Sequence, residues 1–208
     1  MNPRYTRIVM VGIVAIAAAA AGGIALAGRG GAPPAGTGFD QVSNVGTAVA
    51  AVSQHDAQTL RSGGAASASL RLLGTRGNAV FYSAPGARKG LCYATGAASS
   101  GHIALLACPS GIARTPSPTF PSREAPILDM SASVYNSQSN VTRVVELEGF
   151  AVDGVANVEL VDANGTAHVA PVVSNLYHLD LGKGINATAL VALDRSGAEL
   201  FRAALTRP

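Results

Sequence analysis

The chain has 208 residues, 13% of them charged and 5% aromatic, with a formal net charge of +3. Arg4 and Arg7 supply two of those charges, so the sequence from Gly28 onward is nearly neutral, with 13 basic and 12 acidic residues. A near-neutral chain without interleaved aromatic and basic residues excludes a nucleic-acid partner, and the roughly 180 residues beyond a leader suit one ordinary domain or two small ones.

Residues 1–7 are short and basic, and Ile8 to Ala27 then runs twenty residues without a charge. About 20 apolar residues carry a helix across the hydrocarbon core of a bilayer, and arginines ahead of them keep the N-terminus cytoplasmic. The pattern predicts a single-pass membrane anchor over 8–27, with residues 1–7 in the cytoplasm and the rest extracytoplasmic. The alternative is a signal peptide cleaved after Ala27, since Ala25-Leu26-Ala27 has the small-x-small form and the second half of the run is mostly Ala and Gly. No cysteine lies near the end of the run, which excludes a lipid-modified N-terminus.

Residues 28–38 read as a flexible stalk of Gly, Pro and Ala. Between Phe39 and Arg61, Val42, Val45, Val49 and Val52 recur at three- and four-residue steps, which predicts a short helix ended by Ser62-Gly63-Gly64. From Ser67 the period changes. Leu70–Gly74, Ala79–Ala84, Leu91–Thr95 and Ile103–Cys108 are short apolar or alternating runs separated by Gly-, Asn- and Pro-containing turns, the pattern of a β-meander. Cys92 and Cys108, the only cysteines, fall on its third and fourth runs. An even count in an exported chain predicts a disulfide, worth about 3 kcal/mol for a loop of this size in the chain-entropy model. Residues 39–108 thus form a helix plus a basic meander module. Between Ala57 and Arg123 lie seven basic and no acidic residues, whereas Glu124 to Pro208 holds ten acidic and five basic. The basic module could face lipid headgroups, an envelope protein or an anionic wall polymer, or the two oppositely charged parts could attract each other.

Residues 109–126 carry five prolines and read as a linker or extended crossover. Residues 127–208 then predict an acidic β module with strands at 141–150, 155–161, 167–174, 176–181, 187–193 and 199–205. Asn164-Gly165 signals a two-residue type I′ hairpin, and Asp194-Arg195-Ser196-Gly197 a longer hairpin loop with Gly197 left-handed. Short strands with frequent turns point to a β-sandwich. The runs Gly149 to Val155, Val158 to Gly165, Pro171-Val172, Asn175-Leu176-Tyr177 and Leu190 to Gly197 resemble the Ig-like modules of bacterial surface proteins. The resemblance covers about a third of the chain. It implies a sandwich at the cell surface and transfers no catalytic or ligand-binding residue. The fold class expected is therefore mainly β, with an N-terminal transmembrane helix, a short helix, a disulfide-tied meander and a C-terminal Ig-like sandwich.

Searching for chemistry yields no catalytic, cofactor or metal residues. His55, His102, His168 and His178 have no metal-ligand spacing, and read as partly exposed. Ser99-Ser100-Gly101-His102 sets serine near histidine without the GxSxG turn. Glu146 and Glu148 share one face of a strand, which reads as a solvated outer face. Asp153, Asp162 and Asp194 stand where turns want them, outside any EF-hand register. The function expected is a non-catalytic, membrane-anchored interaction or structural module at the cell envelope. The alternatives are a membrane-anchored sensor or regulator, and a secreted enzyme with an unrecognised site.

Overall fold

The computed structural model describes residues 46–87, 90–108, 120–136 and 141–205. The expected anchor at 8–27, the stalk at 28–38 and linker residues 109–119 lie outside this set. Among the described residues no helix is long and apolar enough to cross a membrane.

The fold is mainly β. Its elements in chain order are β1 (Thr47–Ala48), α1 (Gln54–Ser62), β2 (Arg71–Arg76), β3 (Ala79–Pro85), β4 (Leu91–Ala97), β5 (Leu105–Ala107), β6 (Ile127–Asp129), β7 (Ala132–Asn136), β8 (Val141–Ala151), β9 (Asn157–Asp162), β10 (Ala167–Pro171), β11 (Leu176–Ile185), β12 (Ala187–Leu193) and β13 (Glu199–Ala204). The helix expected over 39–61 is, among the described residues, only α1. Ser53 starts it, its Oγ accepting from the Asp56 N–H at 3.1 Å. Upstream of that cap the chain is extended, with Thr47 and Ala48 paired to Leu72 and Arg71. The valine spacing there misleads because β-branched side chains and Gly46 suit extended backbone better than helix.

Strands β1 to β5 form an antiparallel meander in sequence order. Both faces of β3 and β4 are buried, which is why their sequences show little polar alternation. On one face Ala84, Cys92 and Ala94 pack with Leu60 of α1 and with Cys108. The Cys92–Cys108 disulfide forms on this side, with Cα atoms 4.1 Å apart. On the other face Phe81 and Tyr93 meet Phe150 of β8, with ring centroids 5.4 and 5.0 Å apart.

All six strands expected beyond 140 form, as β8 to β13. Two that the sequence did not signal, β6 and β7, pair along the same edge of β8, interrupted at Met130-Ser131. Asp129 makes the bend by accepting from the Ser131 N–H. Strands β11, β8 and β6 make a middle sheet, and β10, β9, β12 and β13 a four-stranded outer one. Phe150 looks toward the meander, so by alternation Leu147 looks the other way, into a core shared with Val158, Leu160, Leu190 and Ala192 of the outer sheet. The two sheets beyond 126 therefore pack as a β-sandwich, with the meander against its outer face. One buried cluster draws on both sides of the 109–126 linker.

The hairpins correct one expectation. Asn164-Gly165 is not a type I′ turn, because only Gly165 has positive φ, at 82°. The loop instead copies the one at Asp194. In each, an aspartate Oδ1 (Asp162 or Asp194) accepts backbone N–H groups two and four residues on, and the closing glycine is left-handed. The two-residue hairpin lies at Ser174-Asn175, both with positive φ, between Val173 and Leu176, which are bonded in both directions.

Candidate functional site

β8 and β11 pair so that His178 lies opposite Glu148, and Asp180 opposite Glu146. Cross-strand partners share a face, so these four side chains line the side of the middle sheet that the meander covers. The expectation of a solvated outer face for Glu146 and Glu148 is therefore corrected in part: Glu146 keeps 32% of its side chain exposed, but Glu148 is only 5% exposed. It became internal because a third sheet, built from residues 47–107, closes over it, and no local pattern in β8 announces that neighbour. Thr95 of β4, wholly buried, donates its hydroxyl to Glu148 Oε1 across the gap at 2.7 Å. His178 is half-buried, with its side chain 7% exposed, and places Nε2 at 2.8 Å from Glu146 Oε1.

The ring of His178 is held by close approach of the β2–β3 turn. A Cβ on Gly77 would stand 2.6 Å from His178 Nδ1, and Gly77 itself has φ +52°. Ligand atoms of Glu146, Glu148 and His178 all lie within 4.8 Å of one another. The cluster opens on a shallow depression of about 360 Å³ whose wall includes Gly77, Asn78, Glu146, His178 and Asp180.

Electrostatics follow from this burial. Desolvation pushes the Glu148 carboxyl up to about 7, with the Thr95 hydrogen bond opposing and the neighbouring Glu146 charge reinforcing it. The hydrogen bond to Glu146 raises His178 above its ordinary value, against the effect of burial. Near neutral pH the cluster thus retains protons that the separate side chains would release. Among the described residues no Lys or Arg is bonded to either glutamate.

The remaining sequence candidates serve the fold. The backbone N–H of His102 donates to Ser100 Oγ at 3.3 Å, while its ring sets Nδ1 at 3.2 Å from Asp56 Oδ2. Burial pushes Asp56 up, but hydrogen bonds from Ser53, the Ile103 N–H and His102 outweigh it and hold the carboxyl below its ordinary range. Asp56 thereby locks α1 to the segment leading into β5. The ring of His55 stands edge-on to that of His102, centroids 5.9 Å apart. His168 Nε2 lies 3.3 Å from Asp162. Oδ1 of Asp162 and of Asp194 accepts from backbone N–H groups of its own loop, and Asp153 accepts from Asn175.

Fold and cluster together define a disulfide-tied, layered β protein with a Glu–Glu–His group between two of its sheets. No family model, curated protein or solved structure matches the chain.

Proposed function

We propose that this chain is an extracytoplasmic interaction or structural module of the cell envelope, held at the membrane by residues 8–27 and carrying an Ig-like sandwich. The observation that supports this best is the Cys92–Cys108 disulfide, buried at both ends. Such a bond persists in oxidising compartments and is rare in the cytosol. The charge-free run ahead of Gly28 supplies a route out of the cytoplasm. Partners meet the exposed loops and sheet edges; an envelope protein and an anionic wall polymer are the two chemistries that fit the basic residues between 57 and 123.

The test is fractionation of cells that produce the full chain. Recovery in the membrane pellet, with degradation by protease added outside the cytoplasmic membrane, is expected. Removing residues 8–27 should abolish export. A full-length chain found in the cytosol with reduced cysteines would end the proposal. Retention of the released ectodomain on isolated envelope material, and its sensitivity to salt, then distinguishes a charged polymer from a protein partner.

A further inference from the structure

We propose that Glu146, Glu148 and His178 form a binding site for one divalent first-row transition-metal ion of the Zn²⁺ or Mn²⁺ kind, set in the seam between the meander and the middle sheet. The proposal stands on donor geometry and is independent of where in the cell the protein resides.

Three observations carry it. First, the donors converge. One imidazole nitrogen and two carboxylates come from adjacent strands, with ligand atoms within 4.8 Å of one another. Metal bonds of about 2.0–2.2 Å put neighbouring donors roughly 3–3.6 Å apart, and His178 Nε2 already stands 2.8 Å from Glu146 Oε1. The remaining separations, up to 4.8 Å, exceed that spacing by little more than an ångström.

Second, His178 is aimed. Nε2 faces the carboxylates while Nδ1 faces the Gly77 turn, where a Cβ would come within 2.6 Å. A ring fixed from behind in this way presents one defined nitrogen, which is what outer contacts do for metal-bound histidines. Thr95 likewise holds Glu148 through a single oxygen, Oε1.

Third, charge and access fit. Metal binding requires the donors deprotonated, and the set then carries two negative charges that no described Lys or Arg offsets, one of them on the nearly buried Glu148, 5% exposed. A dication matches that charge. The depression beside Glu146, His178 and Asp180 gives an entry path and room for water in the remaining coordination positions. The nitrogen-plus-oxygen donor set favours Zn²⁺, Mn²⁺ or Fe²⁺ over Ca²⁺, which takes oxygen alone. Both cysteines are in the disulfide, so among the described residues no thiolate competes.

The test is calorimetric titration of the purified full chain, freed of metal by chelator, with ZnCl₂ and with MnCl₂. One saturable ion per chain is expected for at least one of them, with a rise in Tm. Glu146→Gln and His178→Gln should each weaken binding by about tenfold or more, while circular dichroism confirms that the variants fold. His55→Gln/His102→Gln, which removes the other histidine pair, should leave affinity unchanged. Because His178 is nearly buried, Glu146→Gln at the open end is the variant that keeps the test decisive if His178→Gln does not fold. Absence of saturable binding by either ion at millimolar concentration overturns the proposal. Undiminished affinity in Glu146→Gln, or loss of binding in the His55/His102 variant, does so equally.

Discussion

Glu148 is the residue whose environment departs furthest from what its position in a strand suggests. Its carboxyl sits at about 7 in the folded protein against an ordinary 4.5. Between those values the folded chain keeps a proton that the unfolded chain has lost, so stability falls as pH rises. At about 1.4 kcal/mol per unit the full loss is about 3 kcal/mol. His178 acts in the same direction: its raised value gives stability that is complete below its ordinary 6.5 and disappears as pH rises through the folded value. Asp56 acts oppositely, since its lowered value gives stability that is lost only in acid, below an ordinary 3.8. Urea unfolding of metal-free protein from pH 4.5 to 8 should therefore show declining stability, and Glu148→Gln should flatten most of that slope. An unchanged slope in the variant would mean that another group titrates there.

At the scale of elements, the interrupted β6–β7 pair makes a close backbone contact with β8. Gly149 of β8 lets β6 approach so closely that a Cβ there would meet the Leu128 carbonyl oxygen and the Tyr177 hydroxyl, which donates to that same oxygen. Gly149→Ala should push β6 off the edge and cost about 1–3 kcal/mol, the usual penalty for overpacking. Loss of amide-exchange protection at Met130, whose N–H is bonded to Glu148 O, would locate the damage. Much of this level was legible in the sequence. The turns around Gly77, Pro85-Gly86 and Gly197 divided the strands correctly, because Gly, Asn and Pro act locally through φ. The failures have a common cause. Val49 and Val52 are spaced like a helix but pack beside the meander core as extended chain. β6 and β7 are short, half-buried and adjacent to the prolines. In each case pairing with a distant strand decided the conformation. The Glu–Glu–His group escaped for the same reason: its partner Thr95 lies 53 residues from Glu148.

For the whole molecule, the disulfide closes a segment with a sequence separation of 16. Reducing it, or making Cys92→Ala/Cys108→Ala, should lower stability by about 3 kcal/mol, read as a fall in urea midpoint with little change in slope. A midpoint that does not move would show that core packing alone holds β4 and β5. The layered order has a further consequence for recognition. Helix α1 occupies one face of β3 and β4 and the sandwich occupies the other, so among the described residues the centre of the meander offers a visitor no flat platform. The described residues leave the hairpin tips and the end strands β1 and β5 as the places for a partner to dock. There, backbone groups and scattered arginines are the vocabulary available, and affinity comes from strand-by-strand pairing and local charge rather than from a broad apolar footprint.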